Sequence, residues 1–336
     1  MSISFDDSES YSRPAVQQPP NPLIYLDSQA LLVEDVDEEI FDLYANIAGH
    51  REQATSANTG LGFVSSLDDV YQVEFELGPA RKVPPSQYDK SSSKISHRSR
   101  HTNKLSRTEP PAATKTVTAE IAQDLNSLRN RKGDTGSIIW RSRYECLPCT
   151  SLISSSHHRS TSLFLAKQIL QQYYYPVPST PTSVSKEHAA SAKVLELGAG
   201  TGVLGILLHQ LFGTWTATDQ YDHLKLIARN IKSNGCAPNL QVEEVDWADV
   251  HERWVKGNGK ASYAKEINDN NRADTREQYD LIVAVDCIYN EALIPPFVST
   301  LEYYTAKGKT VVLVVCELRS VEVVTLLVIS HSVQFL

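Results

Sequence analysis

The sequence predicts an α/β protein with a doubly wound, mostly parallel sheet, and three observations lead to that prediction. Five short apolar segments alternate with segments of helical periodicity in the second half of the chain. A glycine-rich turn directly follows the first of these apolar segments. The composition is that of an ordinary globular protein, with 41% hydrophobic residues among 336. Such alternation predicts parallel strands with helices on both faces of the sheet.

The five apolar segments are the predicted parallel strands, and each has the length expected of a buried strand. They are residues 193–197, 214–218, 240–245, 280–285 and 310–316. Three helices are expected: residues 163–175 before the first strand, 203–212 between the first and second strands, and 223–235 after the second strand. The third helix ends in an Asn-Gly stop.

The N-terminal third divides into two parts of opposite charge. Residues 1–80 carry 15 acids and 2 bases, whereas residues 81–115 carry 9 bases and 2 acids. Segment 81–115 is rich in Ser and Pro and has few large apolar residues, so we predict a disordered basic linker there. In the acidic arm, 35–48 has helical spacing and 70–77 alternates like a strand, so the arm is either a small subdomain or a strand of the main sheet. The α/β domain is expected at 116–336.

Composition also limits which cellular locations and which classes of partner are expected. A net charge of −8 argues against general nucleic-acid binding, although contact of the basic linker with ribosomal RNA or an acidic partner stays open. The odd, sparse set of five cysteines and the lack of an apolar leader predict a reduced cytoplasmic protein, with the nucleus as the alternative. No segment is long and apolar enough to predict a membrane span, and we expect a monomer.

The glycine turn is the strongest functional signal. Residues 196–202 read Glu-Leu-Gly-Ala-Gly-Thr-Gly between a predicted strand and a predicted helix. Glycines at such a turn let a ligand approach the backbone closely. Gly200, Gly202 and Gly205 also satisfy the dinucleotide spacing G-x-G-x-x-G, so a nicotinamide enzyme is a competing hypothesis, and a turn without ligand is a third.

Side chains near the turn help to distinguish a dinucleotide from S-adenosylmethionine as the ligand. Glu196 is expected to face the pocket, where a carboxylate would repel pyrophosphate and attract a sulfonium with an amino group. Asp219, at the end of the second strand, suits a ribose diol and serves either cofactor. Asp246 offers an acceptor to an adenine amino group, with the ring of Trp247 beside it, although Trp247 alone suggests a core or lid residue. Together these positions favour S-adenosylmethionine.

The arrangement resembles the seven-strand (class I) methyltransferases, and more narrowly the protein-lysine methyltransferases of the methyltransferase-16 family. The narrower resemblance covers roughly Gly136 to Arg319 and rests on GSIIW at 136–140, the Asp246-Trp247 pair, and DCIY at 286–289, which looks like the family's D-x-x-Y signature. It implies a Rossmann-like doubly wound mostly parallel sheet and methyl transfer from S-adenosylmethionine to a protein lysine. The acidic arm and the GSIIW segment look most similar to the fungal ribosomal lysine N-methyltransferase 5 group, which implies a ribosomal protein as substrate.

The resemblance also implies a role for individual residues around the cofactor and the substrate. Gly198, Ala199 and Gly200 would line the methionine and ribose, Asp219 would bind the ribose hydroxyls, Trp247 would lie by the adenine, Val285 would close the pocket, Trp140 would pack near the cofactor, and Asp286 and Tyr289 would face the lysine.

Asp286 and Tyr289 are therefore the candidate catalytic residues. A lysine has a pKa of about 10.4 and must lose a proton before it attacks the methyl group. Asp286 would attract and orient the ammonium, and the Tyr289 hydroxyl would hydrogen-bond the nitrogen, while the proton leaves through water. A carboxylate suits a cation better than the amide of Asn-Pro-Pro-Tyr sites. The structural alternative makes Asp286 a helix cap and Tyr289 a core aromatic.

The sequence also contains a weak pattern for a zinc site. Cys146, Cys149, His157 and His158 can be written as a Cys-x2-Cys…His pattern, but adjacent histidines usually point apart, so we predict a solvated loop and no metal.

Two departures from the family's pattern bear on function. Residues 146–162 stand between the GSIIW segment and the next helix, which leaves the placement of Trp140 open. Only 20 residues follow Cys316, where a helix and two strands of about 5 residues each are expected, so the sheet is expected to be shortened at the C-terminus. The alternatives to a lysine enzyme are thus a small-molecule or RNA methyltransferase and a non-catalytic binding module of the same fold.

Overall fold

The computed structural model describes residues 23–24, 41, 69–79, 113–125, 137–139, 160–176, 184–257, 278–306 and 308–316. Several sequence predictions lie outside these residues: nearly all of the helix at 35–48, the linker before residue 113, Trp140, the Cys-x2-Cys…His segment, and everything after Cys316.

The described residues contain one five-stranded parallel sheet, as predicted. Its strands are β3 (Lys193–Leu197), β4 (Thr214–Asp219), β5 (Leu240–Glu244), β6 (Leu281–Val285) and β7 (Val311–Val315), each within one residue of its predicted bounds. Their order in the sheet is β5-β4-β3-β6-β7, and every neighbouring pair is parallel. The chain runs outward from β3 in one direction and then returns to β6 on its other side. Ligands of such sheets bind at this switch point, beside the carboxyl ends of β3 and β6.

Helices cover both faces of the parallel sheet, which confirms the doubly wound class. The core on one face packs α1 (Thr161–Tyr174), α3 (Val203–Leu208) and α4 (Tyr221–Ser233), and the core on the other face packs α5 (Trp247–Lys256) and α6 (Ile294–Tyr304). A short helix, α2 (Lys186–Ala189), precedes β3, and a 3-10 turn at His209–Leu211 continues α3. Successive residues of β3 alternate between the two cores, because side chains of a strand point to opposite faces.

The predicted strand of the acidic arm is confirmed, but it belongs to a second sheet. β1 (Val70–Leu77) pairs with the antiparallel β2 (Lys115–Ala122), which the sequence analysis does not identify and which begins at the last residue of the predicted linker. Buried side chains of both strands join the core that packs α1, α3 and α4. Among the described residues, the arm therefore neither adds a strand to the parallel sheet nor has a core of its own.

No helix in the part of the chain that the structure describes is long and apolar enough to cross a membrane.

Candidate functional site

The glycine turn connects β3 to α3 and has a left-handed backbone at three positions. Gly198, Gly200 and Gly202 have φ values of +69°, +58° and +76°, a region that costs little only for glycine. The turn is closed by backbone hydrogen bonds, since the Ala199 N–H donates to Thr218 O at 2.9 Å and the Gly202 N–H donates to Ala199 O at 2.8 Å. The sequence motif therefore encodes a tight, fully formed turn at the switch point.

Gly198 is the position where three loops meet. A Cβ atom built on Gly198 would lie 2.8 Å from Cys287 Cβ and 3.4 Å from Trp247 Cζ2. Cys287 follows β6, and Trp247 begins the helix after β5. The glycine turn, the Asp246-Trp247 pair and the DCIY segment are thus brought together in space, as expected for loops at the carboxyl edge of one parallel sheet.

Gly205 has a packing role that explains the third glycine of the dinucleotide-like spacing. A Cβ atom there would lie 2.8 Å from Trp215 Nε1 and 3.1 Å from Leu240 Cδ1. The glycine lets α3 approach β4 and β5 closely. The third glycine of the dinucleotide fingerprint has this same packing role, so the contacts of Gly205 do not distinguish a dinucleotide from S-adenosylmethionine.

Asp219 is the last residue of β4, and its side chain is hydrogen-bonded to the glycine turn. Its Oδ2 accepts a hydrogen bond from the Gly200 N–H at 2.7 Å, while Oδ1 accepts from the Gln220 N–H at 2.8 Å and lies 2.6 Å from His223 Nδ1. The carboxylate is largely buried, at 8% exposure of the residue. Sequence reasoning missed His223, although its i+4 spacing from Asp219 on the following helix was a usable signal.

Glu196 does not face an open pocket, which corrects the prediction. Its side chain is buried, and Oε2 accepts a hydrogen bond from Trp215 Nε1 at 2.8 Å. The pKa of Glu196 is raised to about 8: burial is the main cause, the negative charge of Asp219 adds to the rise, and the hydrogen bonds from Trp215 and the Gly205 backbone oppose it. A buried indole N–H needs an acceptor, and Glu196 supplies it. The acid is mostly protonated at neutral pH, so attraction of a sulfonium by its charge does not apply.

The Asp246-Trp247 pair begins α5 beside the turn. Asp246 is the N-cap of this helix, because its Oδ1 accepts from the Ala248 N–H at 2.8 Å and the Asp249 N–H at 3.4 Å. The Trp247 ring is half-buried, with its centroid 5.1 Å from that of Phe297. Trp247 thus packs on the core on one side and approaches Gly198 on the other, and binding of adenine by this pair stays a prediction.

Val285 and Asp286 close the end of β6. Val285 is buried and pairs with Val315 of β7. Asp286 has φ +53°, and it alone among the described residues other than glycine lies at positive φ. Its N–H donates to Val315 O at 2.7 Å, and its Oδ2 accepts from Thr161 Oγ1 at 3.3 Å. Such a conformation in a non-glycine residue is held by its surroundings and is typical of functional sites.

The structural alternatives for the DCIY segment do not hold. The cap of the following 3-10 turn is Asn290, whose Oδ1 accepts from the Ala292 N–H at 3.0 Å, rather than Asp286. Tyr289 is 47% exposed, so it is not a core aromatic.

Cys287 lies between the two sets of candidate residues. Burial raises the pKa of its thiol, and the negative charges of Asp219 and Asp286 raise it further. The same side chain therefore lies within electrostatic range of the predicted ribose ligand and of the predicted lysine-binding acid. Its thiol is free and protonated at neutral pH, as expected for a packing residue.

Metal ligation has no support within the described ranges. No group of three or more His, Cys, Asp or Glu side chains there has the geometry to hold a metal ion. The Cys-x2-Cys…His segment and Trp140 lie outside those ranges.

Comparison with known proteins identifies a family that this chain matches. A family model described as lysine methyltransferase matches residues 155–260 and 262–327, about half of the chain. Protein N-lysine methyltransferase METTL21A of Danio rerio is 32% identical over 130 residues, which are 38% of this chain and 50% of that protein. Ribosomal lysine N-methyltransferase 5 of Zygosaccharomyces rouxii is 27% identical over 304 residues, 82% of this chain and 81% of that protein.

A third relative has a name of another kind. Diaminohydroxyphosphoribosylamino-pyrimidine deaminase of Schizosaccharomyces pombe is 28% identical over 183 residues, which are 54% of this chain and 34% of that protein. The chain thus spans half or less of the length of this relative and of METTL21A.

Proposed function

The chain belongs to the lysine methyltransferase family, and from that premise we propose that it transfers a methyl group from S-adenosylmethionine to the side-chain amine of a protein lysine. The proposal depends on the family match and on the site residues together, because one fold supports many chemistries.

One observation carries the proposal: the contact of the glycine turn with the DCIY segment at Gly198. The space that a Cβ of Gly198 would need is taken by Cys287, the residue directly after Asp286. A cofactor cradled by the turn and a lysine held at Asp286 would accordingly approach each other at this point. Methyl transfer needs that proximity, because the amine must attack in line with the breaking bond between carbon and sulfur.

The residues around the turn fit S-adenosylmethionine, which supplies an electrophilic methyl group on a sulfonium. The left-handed glycines expose backbone for a close approach of the methionine portion at Gly198 and Gly200. Asp219 offers carboxylate oxygens to the ribose hydroxyls, and Trp247 offers a ring surface to the adenine. Val285 closes the floor as the last buried residue of β6.

Asp286 and Tyr289 are suited to receive the lysine. The carboxylate of Asp286 attracts the ammonium as it enters, and its position is stabilised by the bond from Thr161. Tyr289 is half-exposed at the same loop and can donate its hydroxyl to the amine while remaining open to a protein chain. Once the lysine has lost its proton to water, the neutral amine would accept the methyl group as the bond between that carbon and the sulfonium sulfur breaks, and the resulting thioether would be the leaving group.

We further propose a ribosomal protein as the substrate and the cytoplasm as the place of action. The printed name of the Zygosaccharomyces rouxii relative, ribosomal lysine N-methyltransferase 5, supports this choice, and this chain aligns with 81% of that protein. Direct binding of nucleic acid is not part of the proposal, and neither is an oligomer.

The first test is calorimetric titration of the purified chain with S-adenosylmethionine, with NAD as the parallel control. Binding of S-adenosylmethionine alone supports the cofactor assignment. Binding of NAD alone would overturn it in favour of a dehydrogenase, and binding of neither would leave a non-catalytic module of the same fold.

The second test identifies the acceptor. Yeast ribosomal subunits and a total extract are incubated with methyl-labelled S-adenosylmethionine and the chain, and the labelled protein is hydrolysed to amino acids. Labelled methyl-lysine from a ribosomal protein supports the proposal. Label in RNA or in small molecules would replace it with the corresponding alternative.

A further inference from the structure

Two asparagine side chains of α4 pair with the outer edge of β2. Asn230 Oδ1 accepts from the Ala122 N–H at 2.9 Å, and Asn230 Nδ2 donates to Ala122 O at 3.0 Å. Asn234 repeats the pattern on Glu120, with both distances at 2.8 Å. The asparagines are one helical turn apart, and their partners Glu120 and Ala122 are two positions apart on the same edge of β2. Each side-chain amide therefore takes the place of a neighbouring strand's backbone.

The two asparagines differ in a third hydrogen bond. Asn230 Nδ2 also donates to Thr201 O at 2.9 Å, inside the glycine turn, whereas Asn234 Nδ2 also donates to Asn230 O at 2.8 Å, within its own helix. Asn230 is fully buried, so all three of its bonds lie away from water. Loss of such an amide leaves buried backbone groups without a partner, which is costly.

We propose that Asn230 is a positioning residue for the glycine turn and that it couples this turn to the β1–β2 sheet. The peptide units between Gly200 and Gly202 are then held from two sides. Asp219 accepts from the Gly200 N–H, and Asn230 donates to the Thr201 carbonyl. The same amide is bonded to β2, whose partner strand β1 comes from the acidic arm. The conformation of the turn thereby depends on a sheet outside the parallel one.

The assigned ligand of the turn rests on the proposed function, but the coupling itself does not. It can be measured without cofactor, by hydrogen exchange of the backbone amides. Asn230→Ser shortens the side chain so that it no longer spans β2 and the turn, and Asn234→Ser is the matched control, which removes the same pair of bonds to β2 and no bond to the turn.

Hydrogen exchange of the unliganded full chain is the first readout. We expect peptides that contain residues 198–203 to exchange at least about fivefold faster in Asn230→Ser, with little change there in Asn234→Ser, since an unmade buried hydrogen bond lowers the local opening free energy. Equal changes in the two variants, or none in either, would overturn the coupling.

Calorimetric affinity for S-adenosylmethionine is the second readout. Loss of one turn-holding hydrogen bond is expected to weaken binding about 3- to 10-fold in Asn230→Ser and less than about twofold in Asn234→Ser, at a temperature where both variants are folded. Unchanged affinity in Asn230→Ser together with faster exchange would show that the turn is coupled but not positioned for the ligand, which overturns the positioning role. Failure of the unchanged chain to bind would instead refute the proposed function, and the exchange data would still decide the coupling.

A measurement on the unchanged chain covers the case in which Asn230→Ser does not fold. In nitrogen-15 NMR, the side-chain NH₂ protons of Asn230 are expected to exchange at least about tenfold more slowly than those of Asn234. Both amide groups donate two hydrogen bonds, but Asn230 is fully buried and Asn234 only half-buried. Equal exchange of the two amide groups would contradict the proposal.

Discussion

The two loops that meet at Gly198 are built in opposite ways. In the glycine turn, Asp219 accepts from the Gly200 N–H, Asn230 donates to the Thr201 carbonyl, and most of the surrounding side chains are buried. The loop after β6 places Asp286 at positive φ and leaves Tyr289 47% exposed. One loop is held from several sides, and the other is open to the surface.

This difference matches the two partners proposed for the loops. A small cofactor that is the same in every turnover is bound best by a pre-organised cradle, because little ordering remains to be done on binding. A segment of a protein substrate must reach the site from outside, which requires exposed side chains at the rim. Changes on the two sides of Gly198 should therefore have separable effects.

The largest effect is expected from Glu196→Gln, and it concerns pH and stability. Burial raises the pKa of Glu196 to about 8, above its value in the unfolded chain, so the folded state holds a proton more tightly. The free energy of unfolding should therefore fall as pH rises from about 4.5 to about 8, by an amount on the order of a few kcal/mol. Glu196→Gln should remove this part of the pH dependence in urea unfolding.

The control for this prediction is Glu187→Gln, at an exposed glutamate of α2. It should leave the pH dependence of unfolding unchanged. A constant difference in stability between Glu196→Gln and the unchanged chain from pH 5 to pH 8 would contradict the prediction.

Asp219→Ala should remove most of the cofactor affinity. The substitution deletes the acceptor for the Gly200 N–H and the carboxylate proposed for the ribose hydroxyls. Since hydrogen bonds to charged groups contribute about 1.5–3 kcal/mol each, we expect the Kd for S-adenosylmethionine to rise at least about 100-fold by calorimetry. Asp222→Ala, at an exposed position in the first turn of the following helix α4, is the control, and equal Kd values for the two variants would refute the assigned role.

Asp286→Asn should separate catalysis from cofactor binding. Asparagine tolerates the positive φ of this position, so the change removes charge and keeps the backbone. We expect kcat/KM for the protein substrate to fall about 30- to 100-fold, while the Kd for S-adenosylmethionine changes less than about threefold. Glu291→Gln, at an exposed acid of the same loop, should have little effect on either quantity. A parallel loss of cofactor affinity in Asp286→Asn would erase the distinction between the two loops.

Tyr289→Phe should have the smallest effect. The substitution removes one hydroxyl from an exposed ring and leaves its shape. Loss of one neutral hydrogen bond predicts a decrease in kcat/KM of about 3- to 10-fold in a methylation assay, with unchanged melting temperature. Tyr221→Phe is the matched control, because Tyr221 is also exposed and follows β4, another strand of the same parallel sheet. If both variants retain full activity, Tyr289 does not contact the lysine.

Local patterns in the sequence were sufficient to predict the parallel sheet and its turn. The five strands lie within one residue of their predicted bounds, because continuous apolar runs flanked by helices have few other ways to bury themselves. The left-handed backbone at Gly198, Gly200 and Gly202 follows from residue type, since only glycine adopts it without strain. The positions after β4, β5 and β6 were also predictable, because parallel strands end at one edge of their sheet.

Contacts between distant segments were decided only by the tertiary structure. The Glu196 carboxylate was expected in the ligand pocket, but the indole of Trp215, 19 residues away, takes it as a buried acceptor. Strand β2 has too little apolar character to be recognised alone, and its outer edge is satisfied by Asn230 and Asn234 from a helix more than 100 residues later. The sequence by itself thus determined the strands and the glycine turn through local periodicity and backbone preference. Which polar groups remain for a ligand depends on which buried donors and acceptors meet, and the packed chain alone decides that.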